Sequence, residues 1–82
     1  MNADQIYRQL SDIFHEVFDD QTIVPTPEMK AGDVPEWDSL NHINLIVAIE
    51  ARFKIKFRTA EIESLRNVGH LVELIEKKTN VA

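Results

Sequence analysis

Apolar residues recur at helical spacing in three long stretches of the chain and alternate with polar ones in a short fourth. In the first stretch Ile6, Leu10, Ile13, Phe14 and Val17 follow the helical period, with Phe18 at the edge of the stripe. That predicts a helix from Asn2 to about Phe18. Asn2 with Gln5 three residues on suits a capping box, and Asp4 suits the positive end of the helix dipole. Tyr7 and His15 flank the stripe, and His15 is expected as a solvated surface residue. The second stretch, Ser39 to Phe53, has too many apolar residues for one face. At about 100° per residue they sort into two stripes. Leu45, Ile46, Ile49 and Phe53 form one; Leu40, Ile43, Val47 and Ala51 form the other. A small domain buries one such stripe in its own core. Asn41, Asn44 and Glu50 break up the sides, so the second stripe is expected to stay partly exposed, as a partner site does. A helix buried all round is the competing reading. In the third stretch Val68, Leu71, Val72 and Ile75 predict a last helix, capped by Asn67, with Lys77 and Lys78 opposing the negative end of its dipole.

The segments between these helices are constrained by breakers. Asp19 to Glu36 contains Pro25, Pro27, Gly32 and Pro35, which forbid a continuous helix, and Gly32-Asp33 suits a turn. So long a connection in so short a chain is either functional or disordered. Ile23, Val24, Met29, Val34 and Trp37 can fasten it, so order is expected at its ends, with Trp37 as a lid over the end of the core. After Phe53 the pattern changes: Phe53, Ile55 and Phe57 alternate with Lys54, Lys56 and Arg58. Such alternation can mark a strand. With no second strand to pair with, it reads as an extended connector. A short helix follows from about Thr59, a possible cap, to Glu63. The expected architecture is all-α: three main helices and one short one, with a long loop between the first two, in a single domain over residues 1–82.

Composition narrows the function classes. A chain of 82 residues permits one small core. A formal net charge of -5 disfavours nucleic acid and anionic membranes as partners, because those need basic patches. The absence of cysteine excludes disulfides, thiolate metal sites and cysteine nucleophiles. No apolar run approaches the roughly 20 residues of a transmembrane helix, and the polar N-terminus lacks the apolar core of a signal peptide. A cytoplasmic protein is expected. A helix-turn-helix DNA reading fails for want of a basic recognition helix.

Asp38, Ser39 and His42 invite comparison with a catalytic triad. Histidine would have to touch both the serine and the carboxylate. All three lie within about one helical turn, and by helical angle His42 points toward the core stripe, so a histidine packed against the loop is the preferred reading. His15, His42 and His70 show no metal-ligand spacing, and no glycine-rich phosphate loop is present. What remains is one hydroxyl at a helix start. Asp38 is a good N-cap, which makes Ser39 the first helical residue, where free N–H groups and the dipole favour a phosphate ester.

Asp38-Ser39-Leu40 opening a hydrophobic helix that ends Ala48-Ile49-Glu50-x-x-Phe53 resembles the acyl carrier protein signature. The order of elements resembles that family over nearly the whole chain. The resemblance implies that Ser39 receives 4′-phosphopantetheine from coenzyme A through a separate phosphopantetheinyl transferase and Mg²⁺. The prosthetic thiol then carries acyl groups as thioesters, and the chain itself catalyses nothing. Asp38 matches the acidic residue that helps the transferase engage. Acyl-loading and acyl-accepting enzymes are the further partners of a monomeric carrier. Leu40, Ile43, Asn44, Val47, Arg52 and Lys54 are the residues expected to meet them.

The chain departs from the family in its charges. Carriers of fatty acid synthesis usually have a strongly acidic second helix. Here Asn41 and Asn44 stand where carboxylates are frequent, and Arg52, Lys54, Lys56 and Arg58 follow Glu50. Trp37 stands where peptidyl carrier domains usually have glycine. A discrete carrier of a dedicated pathway is therefore expected. The alternatives are a peptidyl or aminoacyl carrier, or an unmodified helical interaction module binding a partner through the Leu40-Ile43-Val47 stripe.

Overall fold

Each α-helix of the computed structural model, which describes residues 2–79, starts beside a side chain that bonds an amide at its N-terminal end. Helix α1 spans Ala3–Phe18, α2 Ser39–Phe53, α3 Thr59–Glu63 and α4 Val68–Thr79; a single 3₁₀ turn lies at Ala31–Asp33. No strand occurs among the described residues. The capping box at the start of α1 is present: Gln5 N–H donates to Asn2 Oδ1 at 2.9 Å, and Asn2 N–H donates to Gln5 Oε1 at 3.1 Å. At the start of α4, His70 N–H donates to Asn67 Oδ1 at 2.8 Å. The start of α3 differs from expectation. Thr59 is its first residue, and the flanking residue is Arg58, whose N–H donates to Glu61 Oε1 at 2.8 Å. The Glu61 carboxylate thus supplies the return bond of a capping box, with no hydroxyl at the cap position.

The core forms where three amphipathic faces meet. Ile6, Leu10, Ile13, Phe14 and Phe18 of α1 pack with Leu45, Ile49 and Phe53 of α2 and with the Val68, Leu71, Val72, Ile75 face of α4. Helix α1 is the central member, touching both α2 and α4. Phe18 is buried and Val17 is only partly so, the reverse of the order expected from the stripe. The reason is aromatic: Phe18 sets its ring edge-on to Phe14 at 5.3 Å and also meets Trp37. His15 also departs from expectation. Its imidazole is half-buried, and Nε2 lies 2.8 Å from the Ile23 carbonyl, so it clips the loop to α1 instead of facing water.

The long connection is fastened in its middle as well as at its ends. Ile23 and Val34 enter the core, and Trp37 and Met29 pack against it. Val24 does not help, being 70% exposed. The middle is held by backbone. Val68 N–H donates to the Met29 carbonyl and Gly69 N–H to the Pro27 carbonyl, both at 2.9 Å. Two loop carbonyls thereby satisfy two of the amides that the first turn of α4 would leave unpaired. This close approach favours glycine, since a Cβ on Gly69 would stand 3.0 Å from the Pro27 carbonyl oxygen and the loop would have to give way.

The stretch after α2 is the extended connector expected from its alternation. Lys54 ends α2 in the left-handed conformation, with φ 58°. Ile55 N–H returns to the Glu50 carbonyl at 3.1 Å, and the Glu50 carboxylate accepts the Phe57 N–H at 2.8 Å. One residue on α2 thus fixes the direction in which the chain leaves it. Helix α3 buries no side chain completely. It is tied to α4 by Lys78 Nζ, 3.0 Å from Glu61 Oε1.

Candidate functional site

The N-terminus of α2 is built by hydrogen bonds that fix Ser39 from behind. Buried Val34 anchors the incoming chain, and Trp37 N–H donates to its carbonyl at 3.0 Å. Asp38 is extended, with φ -98° and ψ -175°, and its Oδ1 accepts the Asn41 N–H at 2.8 Å. Its carbonyl accepts the first helical bond, from His42 N–H at 2.8 Å. Asn41 also reaches backward, its Nδ2 donating to the Glu36 carbonyl at 2.7 Å. The amide of Asn44 donates to Asn41 Oδ1 at 3.2 Å. The sequence reading of Asn41, as a break in a stripe and a neutral residue where carboxylates are frequent, did not include its contact with Glu36. Its distance from Glu36, across the helix boundary, conceals the contact from any periodicity.

Ser39 is the first residue inside this frame, and it is exposed. The N–H groups of Ser39 and Leu40 belong to the first turn, where a helix supplies no acceptor of its own. An open depression beside the serine is lined by Ala31, Trp37, Asp38, Ser39 and His42. The site therefore offers a solvent-facing hydroxyl, room beside it and the positive end of a helix dipole. That arrangement can hold a phosphate ester.

The triad comparison fails on geometry. His42 is turned onto Trp37, whose Nε1–H donates to His42 Nδ1 at 3.1 Å. Asp38 Oδ1 is occupied by the Asn41 N–H. The expected role of Trp37 as a lid holds: its indole meets Phe14 edge-on at 5.5 Å and Phe18 at 5.6 Å. No group of three or more His, Asp or Glu side chains suited to a metal ion occurs among the described residues. No helix there is long and apolar enough to cross a membrane.

The two stripes of α2 separate as the spacing predicts. Leu45, Ile46, Ile49 and Phe53 are buried, whereas Leu40, Ile43 and Val47 are 68%, 60% and 58% exposed. Asn44 is exposed on the same helix. Arg52 and Lys54 have different surroundings. Arg52 lies along α1, with Nε donating to Gln9 Oε1 at 3.1 Å and a guanidinium nitrogen 3.5 Å from Asp12. Lys54, Lys56 and Arg58 are exposed. The structure thus brings Asp38, Ser39 and Leu40 together at one tip, continues the stripe through Ile43 and Val47, and sets Arg52 apart against α1.

No model of a known protein family matches the chain. Individual proteins do. The acyl carrier protein of Thermotoga maritima is 31% identical over 77 residues, covering 94% of this chain and 95% of that one. That of Acidothermus cellulolyticus is 29% identical over 79 residues, covering 96% and 94%. Among solved structures, the solution NMR structure of a holo acyl carrier protein from Geobacter metallireducens superimposes with a TM-score of 0.84. It is 50% identical, and the match covers 88% of this chain and 83% of that one. With the same helical fold, and identity carried over nearly its whole length, this chain belongs to the acyl carrier protein family.

Proposed function

We propose that Ser39 bears the 4′-phosphopantetheine group of this carrier, installed from coenzyme A by a phosphopantetheinyl transferase. We propose further that the protein serves the acyl-loading and acyl-accepting enzymes of a dedicated biosynthetic pathway. The observation that carries this reading is the exposed hydroxyl at the first position of α2, adjoining the exposed Leu40, Ile43 and Val47 stripe. In the transfer a bond forms between Ser39 Oγ and phosphorus, and the phosphoanhydride P–O bond of coenzyme A breaks. The nucleoside bisphosphate leaves, and the hydroxyl proton passes to a base. Asp38 Oδ1 is engaged by the Asn41 N–H and His42 Nδ1 by the Trp37 indole, so we assign the base to the transferase. Once attached, the group's terminal thiol supplies the thioester chemistry. The chain supplies a fixed, solvent-facing attachment point, a dipole that favours the phosphodiester and an apolar stripe for docking. It is a carrier and not an enzyme.

The dedicated pathway is supported by charge. Lys54, Lys56 and Arg58 are exposed beyond the end of α2, and Asn41 and Asn44 are uncharged. Arg52 adds little to that field because Asp12 faces it. An enzyme with a basic docking patch is then steered away, and one with a neutral or acidic patch is accepted. The proposal comprises a monomeric, single-domain carrier over residues 1–82 that works in the cytoplasm. An aminoacyl or peptidyl cargo would use the same site.

The test is intact-protein mass after incubation with coenzyme A and a transferase. The wild-type protein should gain one phosphopantetheine, and Ser39→Ala should fold but gain none. A mass gain by the alanine variant would move the site elsewhere. No gain by the folded wild type would favour an unmodified interaction module that uses the same exposed stripe.

A further inference from the structure

Trp37 and His42 stand between two spaces. One is the open depression beside Ser39. The other is a cavity of about 60 Å³ at the end of the core, lined by Leu45, Ile46, Leu65 and Leu71 among others. Ala31, Trp37 and His42 line both, so they form the partition. The two rings are nearly parallel, at 22°, and joined by the 3.1 Å hydrogen bond from the indole N–H to Nδ1. Phe14 and Phe18 also pack against the indole, at 5.5 and 5.6 Å. Swinging the partition open therefore separates aromatic contacts and also exchanges a part-buried hydrogen bond for bonds to water. At about 60 Å³ the cavity is well below the roughly 150 Å³ that takes a benzene-sized guest. An acyl chain of several carbons does not fit unless the partition moves.

We propose that the Trp37–His42 pair is a latch that keeps the core closed beside Ser39. Acyl cargo then stays in solvent, presented to partner enzymes, and short or polar acyl groups are the class this carrier suits. A long aliphatic chain would be left exposed to water, which disfavours it. The inference rests on Ser39 as the attachment point for the position of the cargo. The latch itself rests only on the geometry of the two rings and the spaces they divide.

Two measurements test it. The first uses protein loaded with octanoyl-pantetheine from octanoyl-coenzyme A. NMR signals of Leu45, Ile46 and Leu71 should be the same in the holo and octanoyl forms of the wild type. Hydroxylamine should cleave the thioester as fast as it cleaves free octanoyl-pantetheine. Trp37→Phe keeps an aromatic ring without the donor, and His42→Leu keeps bulk without the acceptor. In both, the cavity signals should shift on octanoylation and cleavage should slow. Shifts of those signals in the wild type, or variants that behave like it, would overturn the latch. The second measurement needs no loading. Trp37 is the one tryptophan of the chain, so its indole N–H gives a single signal. In the unmodified protein its hydrogen exchange should be about fivefold faster in His42→Leu, the size of one neutral hydrogen bond. Equal rates would overturn the latch even if Ser39 were not the attachment site. An error about Ser39 appears separately, as phosphopantetheine mass retained by Ser39→Ala.

Discussion

Truncating α2 on its two faces should give opposite results, and the sizes follow from burial. Ile49 is fully buried and Val47 is 58% exposed, though they lie two residues apart on one helix. Ile49→Ala removes three carbon groups from the core. At about 0.8 kcal/mol for each, the transfer loss is near 2.4 kcal/mol. The residual cavity adds to this, so the loss should fall at about 3–4 kcal/mol, within the range for such changes. Val47→Ala removes two carbons that are less than half covered, a loss of about 0.7 kcal/mol. The better helix propensity of alanine offsets much of that. Urea denaturation followed by circular dichroism reads both, through the midpoint at constant slope. A domain of this size has only about 4–12 kcal/mol in total. Ile49→Val, at about 1 kcal/mol, is therefore the companion variant if Ile49→Ala does not fold. Transferase loading should reverse the ranking: Val47→Ala is loaded more slowly than wild type, whereas folded Ile49→Val is loaded normally. Equal destabilisation by Val47→Ala and Ile49→Ala would refute the division of the helix into a core face and a docking face.

Three further outcomes follow from particular contacts. Gly69→Ala should lower stability by about 1 kcal/mol despite its gain in helix propensity, because the new Cβ meets the Pro27 backbone at 3.0 Å; a rise in the urea midpoint would show that the loop yields freely. Lys54→Glu with Lys56→Glu should improve the holo protein as a substrate for a malonyl transferase of fatty acid synthesis at low salt, with the gain fading as salt rises; no change at low salt would remove the electrostatic support for a dedicated pathway. The Glu61 carboxyl is held below its ordinary range by the Arg58 N–H first, and then by the hydrogen bond and charge of Lys78. Its folded pKa is depressed, so its contribution is full above the ordinary value of 4.5 and disappears as pH falls through the folded value. Glu61→Gln should therefore lower the neutral plateau of a stability–pH curve and flatten its acid limb, and an unchanged acid limb would contradict the assignment.

Much of this fold is legible in the chain because local rules suffice for it. The α1 capping box, the Asn67 cap and the two stripes of α2 are each set by residues within a few positions of one another. Asp38 and Ser39 were legible for the same reason: an N-cap and the residue after it form a local unit. What periodicity could not reach depended on partners distant in sequence. His15 is withdrawn from water by the Ile23 carbonyl, which arrives only when the loop folds back. Phe18 outranks Val17 because Trp37 comes to meet it. Arg52 reads as part of a basic cluster until α1 places Gln9 and Asp12 beside it. The Pro27 and Met29 carbonyls read as loop backbone until the first turn of α4 binds them. Gly69 was the one available sign of that contact, as a glycine inside a helical pattern with no local reason for being there.

Lys54 occupies a conformation that suits a different residue. At φ 58° a side chain with a Cβ is strained by about 1–2 kcal/mol, and glycine at the same place is not. Every other requirement of the helix end is met by backbone and by Glu50, so the lysine side chain is not needed to close it. Under the proposed role of Lys54 in partner choice, fold and function make opposing demands on a single codon. A library of variants sorted only for thermal endurance should fill this position with glycine or asparagine. One sorted for transfer to the proper partner should retain a cation there. Where the two populations diverge, the residue records how far selection for recognition has overruled the comfort of the backbone.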